Sequence, residues 1–448
     1  MRGGIATLWT ALAFALSLFY AFYRWGRGEG SVPFRAPDSA GYLEPILYYF
    51  KQGLYWPDDR LPGYGLLYGL GYALLRQERR AEWLLILLQL GLGLGTIYYC
   101  LYWLKLRGIP PLGRHFMGLA WTLGGLYGAQ RWTDLLTDAP ASALMVATPL
   151  LLLQGYYGWA GVLFTLLFFL RPASLVLLLP VLAYFALRYA QERPRKAILR
   201  QALAFLFPFL LAEGLWIGRN FQVHGDFRPL HGNRSLYKDA YHEPPWEFMR
   251  PLTERLGISS DSRFYFMLMG YEPPLLEALL RLTAARYLPP SEKNELVRLV
   301  VGVYAARGQP DSCSRYDSLR LQAQRLGLTL TRWRSTLFQL THALVGYLIY
   351  ENQTLSPLGW GKTFYKHPFY VASALFFLGG FVGSLALVAL KGWRTFSPPF
   401  WLLAGYALCL PFTHLALRIL EMRHLAICTP ILILFLVVGL IQGARRFS

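Results

Sequence analysis

Charge is scarce in this chain. Only 15% of its 448 residues are Asp, Glu, Lys or Arg, against about 25% in a typical soluble domain. With 55% hydrophobic residues, that shortage excludes an ordinary soluble globular protein. Acids are scarcer still, 25 against 44 Lys plus Arg, a net charge of +19. In a soluble protein that balance would suit nucleic acid. No basic soluble domain exists here to bind it, so nucleic acid is excluded as a partner. Cysteine is nearly absent. Cys100, Cys313, Cys409 and Cys428 are scattered, and three of them lie in apolar runs, which excludes a disulfide framework. Internal repeats are also missing, and with them the usual sign of an inverted-repeat transporter.

Long apolar runs stand in their place. Trp83–Leu104 is 22 residues without a charge, enough for one membrane crossing. The first run, 6–23, has only Arg2 ahead of it and no small-residue cleavage site. It reads as a retained anchor rather than a signal peptide. The Lys/Arg excess then reads as positive-inside loops and sites for anionic lipid. Three basic runs (105–114, 188–200 and 391–394) and the tail Arg445-Arg446 qualify as cytoplasmic.

Keeping all four inside constrains the path. Run 6–23 goes out, 83–104 returns, 115–130 goes out and 139–154 returns. The apolar stretch 159–187 carries Arg171-Pro172 near its middle. One crossing there would leave 188–200 outside, so the spacing predicts two short crossings turning at Arg171. Run 202–217 goes out again, and 369–390, 400–417 and 425–442 close the chain. The expectation is an all-α polytopic membrane protein of about ten spans, with both termini inside. Residues 1–220 form an N-terminal transmembrane core with external loops 24–81 and 131–139. Residues 221–366 form a mainly helical extracytoplasmic loop domain, and 367–448 the last spans. Stretches 39–52, 61–75 and 337–350 are apolar but short, and are expected as helices lying in the interface.

On this path several polar residues gather on the external surface. Asp38 follows the first span. Asp134 and Asp138 stand four apart, so they would share a helix face if that stretch is helical. Arg171 sits at the tip of the short pair, Arg219 and Asn220 end the seventh span, and Arg423 lies between the last two. Arg60 and Tyr64 lie in the first loop, and Tyr42 falls on the apolar face of 39–52. Arginines at headgroup level can hold a lipid phosphate bidentately. A carboxylate beside them can take the proton of an attacking hydroxyl. Both Asp38 and Asp138 also stand where an N-cap stands, so each has an ordinary structural use as well. Arg219 has one in snorkelling from a helix end. A lone arginine between apolar halves, as at Arg171, has no such cheap use.

These residues carry a resemblance. Asp38-Ser39 with Tyr42, Gly53 and Arg60-Leu61-Pro62-Gly63-Tyr64 come first. Leu135-Leu136-Thr137-Asp138, Leu170-Arg171-Pro172, Trp216 with Arg219-Asn220, and Glu421-Met422-Arg423-His424 follow in order. The set resembles the polytopic GT-C-type glycosyltransferases, both the dolichyl-phosphate-mannose-protein mannosyltransferase-like and the lipid A aminoarabinose transferase-like ones. The resemblance implies a GT-C-like bundle and an inverting transferase using a polyprenyl-phosphate-linked sugar donor. Asp38 would be the base, and Asp134 or Asp138 would assist it or, with Asp38, help hold a divalent metal. Arg171, Arg219 and Arg423 would bind the lipid phosphate, and Tyr42, Arg60, Tyr64 and Asn220 the substrate. The protein would lie among the lipids of the inner membrane, its active face outside the cytoplasm and its acceptor unspecified. The chain departs from the family at Ser39, where many relatives have Glu, at Asp138, where many have Glu, and at His424, where many have Tyr. The rival class is a non-catalytic scaffold subunit that keeps the fold within a larger membrane complex. A transporter fits less well.

Overall fold

A computed structural model describes residues 4–26, 32–35, 39–52, 61–124, 133–224, 289–306, 312–325, 368–391, 397–416 and 428–442, with a few more between 274 and 281. Among these the structure is helical, with no strand and a single isolated bridge, Phe34 to Asp134. Contacts divide the chain into two compact units. One comprises Met1–Asn233, Pro368–His414 and Met422–Ser448; the other comprises Arg234–His367 and Leu415–Glu421.

In the first unit the chain forms α1 (Gly4–Gly26), α2 (Ser39–Gln52), α3 (Gly63–Leu75), α4 (Glu78–Leu106) and α5 (Pro111–Leu119), which runs into a π turn at Ala120–Gly124. Then come α6 (Asp138–Leu153), α7 (Tyr157–Leu170), a 3-10 turn at Pro172–Leu177, α8 (Leu178–Gln191) and α9 (Arg195–His224). Among the described residues four segments are long and apolar enough to cross a membrane: Gly4–Gly26, Glu78–Leu106, Pro172–Gln191 and Arg195–Gln222. Others are apolar but shorter. Tyr157–Leu170 has 14 residues, about 21 Å at ~1.5 Å per residue, against a hydrocarbon core of about 30 Å. The described chain is thus helical, with apolar helices that suit a membrane protein. The finer count of ten spans goes beyond what these lengths give.

The break expected at Arg171 is present. Its backbone is extended (φ −143°, ψ 93°) between α7 and the 3-10 turn. The chain then folds back: Phe185 on α8 packs against Tyr157 at the start of α7, ring centroids 5.8 Å apart. Arg188 donates to the Tyr157 hydroxyl at 2.7 Å and to Gln201 Oε1 at 2.9 Å. Pro172, fixed in φ and lacking an N–H, is the reason α7 stops there. Next, α9 runs parallel to α7. Gly161 meets the Phe205 backbone, Phe164 packs on Phe205 and Phe209, and Phe168 on Phe209. The core helix is α6. Almost every residue from Asp138 to Leu152 is buried, and its alanines and Ser142 let α4 and α7 approach closely.

The last helices, α12 (Pro368–Lys391), α13 (Pro398–Ala416) and α14 (Thr429–Gln442), complete this unit; α10 (Pro290–Ala305) and α11 (Ser312–Arg325) belong to the other. Contacts of Gly380 with Leu432, Gly383 with Leu436 and Leu387 with Gly439 make α12 and α14 parallel. In the second unit α10 (Pro290–Ala305) and α11 (Ser312–Arg325) pack antiparallel. A Cβ on Gly302 would lie 3.3 Å from Leu319, and Gln322 donates to Glu295 at 3.2 Å. The stretch 337–350 lies outside the described residues.

Candidate functional site

One end of the first unit gathers the starts of α2, α3, α4 and α6 with the end of α1. The anchor is the Phe34–Asp134 bridge. The Phe34 N–H donates to the Thr133 carbonyl at 2.9 Å, and the Leu135 N–H donates back to the Phe34 carbonyl at 2.9 Å. Ser39 opens α2 and donates to the Leu135 carbonyl at 2.8 Å. Tyr42, one turn on, lies 3.3 Å from the Thr137 hydroxyl. The segment leading into α2 is therefore fastened to the segment leading into α6.

The bridge corrects one expectation. Asp134 and Asp138 do not share a helix face, because the backbone at 134 is spent on pairing with Phe34 and α6 begins only at Asp138. Each aspartate is buried, 3% and 2% exposed, and each meets an arginine. Asp134 pairs with Arg24 from the end of α1, whose guanidinium also lies 4.0 Å from the Phe34 ring centroid. Asp138 pairs with Arg171 at the tip of the α7–α8 hairpin. Asp138 makes no capping bond: both its carboxylate oxygens are buried without a hydrogen bond, so its partner is the ion pair. A carboxylate in the first turn of α6 also faces the positive end of that helix.

Tyr64 is fully buried. Its hydroxyl donates to Gln89 Oε1 at 2.6 Å, and Gln89 Nε2 donates to the Asp134 carbonyl at 3.1 Å. Burial, with Tyr42, Asp134 and Glu82 adding to it, pushes the Tyr64 phenol well above its ordinary value, so it stays a donor. Its ring meets that of Tyr42 edge-on at 5.6 Å. The close approach of α3 to α7 depends on Gly63, where a Cβ would lie 2.8 Å from the Phe169 backbone.

Beside this cluster, Glu82 on α4 is 1% exposed. Arg35 donates to it from Nε at 2.7 Å, and Arg79 lies at 3.3 Å. Arg79 also donates to the Val32 carbonyl at 2.6 Å, tying the first loop to α4. Burial works against the Arg35 charge, yet the bond and charge of Glu82 outweigh it and raise the Arg35 pKa.

The stripe Phe205, Phe209, Glu213, Trp216 and Asn220 forms the buried face of α9. In the parallel register, the turn after Phe209 carries Glu213 and the turn after Phe168 carries Arg171. Arg219 donates to Asn220 Oδ1 at 2.9 Å and its guanidinium lies 4.9 Å from the Trp216 ring centroid. Arg219 is therefore held along its own helix rather than merely trailing from its end.

Asp38, Arg60 and Arg423 lie outside the described residues. Of the expected residues, Tyr42, Tyr64, Asp134, Asp138 and Arg171 converge. Arg24, Glu82, Gln89 and Glu213 were missed. A polar residue interrupting an apolar helix was the available signal for Gln89 and Glu213. Among the described residues no group of three or more His, Cys, Asp or Glu side chains could hold a metal. Asp138, one half of the implied metal pair, has a guanidinium against it, and no step below runs through a metal. No family model matches the chain, and neither a curated protein nor a solved structure matches it.

Proposed function

We propose that the chain is an inverting glycosyltransferase, moving a sugar from a polyprenyl-phosphate carrier to an acceptor outside the cytoplasm. The observation that carries this reading is the cluster of buried acids, arginines and tyrosines at the junction of both loops with the Arg171 tip. In this reading the acceptor hydroxyl attacks the anomeric carbon as its proton passes to the Asp38 carboxylate. The bond from that carbon to the donor phosphate oxygen breaks, and polyprenyl phosphate leaves as a stable anion that needs charge stabilisation. Arg171 and Arg219 supply that charge, with Arg423. Asp134 and Asp138 orient Arg24 and Arg171. Tyr42, Arg60, Tyr64 and Asn220 line the substrate side.

A specific observation favours the scaffold as the second reading. Each buried acid of the cluster, Asp134, Asp138 and Glu82, already carries an arginine, as in a site locked shut. The deciding experiment follows transfer from a labelled polyprenyl-phosphate sugar in membranes containing the chain. Asp38→Asn is expected to insert normally and to lose transfer by a factor of roughly 100 or more, the scale of general-base catalysis. Undiminished transfer removes Asp38 as the base. No transfer from the unsubstituted chain to any acceptor tried favours the scaffold.

A further inference from the structure

At the other end of α7 lies a groove that the proposed transfer does not use. It has a volume of about 730 Å³ and runs between the start of α7 and the first half of α9, within the range of small-molecule sites. Its walls are Tyr156, Trp159, Val162, Ala204 and Phe207, with Arg200 at one end. The two helices touch closely at Gly161 and Phe205, so the groove lies on their outer side. Small residues keep it open: Gly155 takes a left-handed backbone (φ 85°), and a Cβ on Gly158 would meet nothing within 4 Å. Trp159 is 68% exposed and Phe207 65%, a costly display in water. In a bilayer these are the faces that lie against acyl chains.

Charge decides which lipid. Nearby Arg188 is engaged by Glu192, Tyr157 and Gln201, and Arg195 lies over the Tyr189 ring. Arg200 is exposed and makes no ion pair among the described residues. It stands one turn before Ala204, where an apolar trench ends in the basic run 188–200. A cation lining the mouth of an apolar groove, at the end of a basic run, matches an amphiphile with an anionic head.

We infer that this groove binds an anionic phospholipid, its phosphate on Arg200 and an acyl chain between Trp159 and Phe207. The inference rests on the chain crossing a membrane and is independent of the transferase reading. The full chain, purified in neutral detergent, is offered phosphatidylglycerol or phosphatidylcholine at equal concentration, and retained lipid is measured by native mass spectrometry. Preferential retention of phosphatidylglycerol is expected. Arg200→Gln lowers that preference by roughly fivefold, the factor one interfacial cation supplies. Arg107→Gln, at another basic run, leaves it unchanged. Ala204→Trp fills the trench and lowers retention of both lipids; if that variant misfolds, Trp159→Ala takes its place. Equal retention of the two lipids by the unsubstituted chain overturns the inference, as does an equal loss in Arg107→Gln and Arg200→Gln.

Discussion

Asp138 and Arg171 act as a unit, and that is a claim about energy as well as position. Their side chains are 2% and 15% exposed, so removing one leaves the other as a buried, uncompensated charge. Asp138→Asn should therefore cost about 3–5 kcal/mol of stability, and replacing both by apolar residues of similar size much less. Thermal unfolding of Asp138→Asn, Arg171→Met and Asp138→Leu/Arg171→Met in mild detergent tests this. Additive losses would show that the two side chains do not act together. Under the proposed reaction the double variant still transfers no sugar, which separates the stabilising role from the chemical one. Each residue was legible alone: a lone arginine beside Pro172, an aspartate at a helix start. Their pairing was not, because the two stand 33 positions apart, one in the first turn of α6 and the other at the break after α7, and only the fold brings them together. The same holds for Arg24 and Asp134, separated by 110 positions. Their individual chemistry is written in the chain, but their partnership belongs to the tertiary structure.

Helices were the most readable level, because an apolar run without charges has few other uses in a membrane. The expected stretches 6–23, 83–104, 139–154 and 202–217 correspond to α1, α4, α6 and α9. The stretch 115–130 does not correspond as simply. Its helix ends at Leu119 and passes into a π turn to Gly124, and residues 125–130 lie outside those described. Hydropathy sees only composition there, whereas the turn depends on how the backbone packs against α12 and α14. Helix contacts make a sharper prediction than helix existence. A Cβ on Gly161 would overlap the Phe205 carbonyl, a backbone atom that cannot step aside. Gly161→Ala should cost about 1–3 kcal/mol, as overpacking does, and should separate α7 from α9. Gly214→Ala on α9 meets nothing within 4 Å and should be neutral or slightly stabilising, since alanine is the better helix former by about 1 kcal/mol. Unfolding midpoints of the two variants, read side by side, check the register directly. Equal midpoints would mean that α7 and α9 do not meet at Gly161.

Directionality links these contacts to the path of the whole chain. Helices α7 and α9 run parallel, with α8 returning between them, and α12 and α14 run parallel with α13 between them in sequence. The path expected from the basic loops, which keeps Lys and Arg on the cytoplasmic side, requires both parallel pairs. The basic run 188–200, with Arg200 and the groove, lies at the opposite end of α7 from Asp138 and Arg171. That opposition is testable without any substrate. A reporter enzyme active only outside the cytoplasm, fused after Arg193, should be silent. The same reporter fused after Gly225 should be active, because α9 lies between the two points. Activity at both points, or at neither, would mean that α9 does not cross. Activity reversed between them would put the acid–arginine cluster in the cytoplasm, where nucleotide sugars are at hand and a lipid-linked donor loses its rationale.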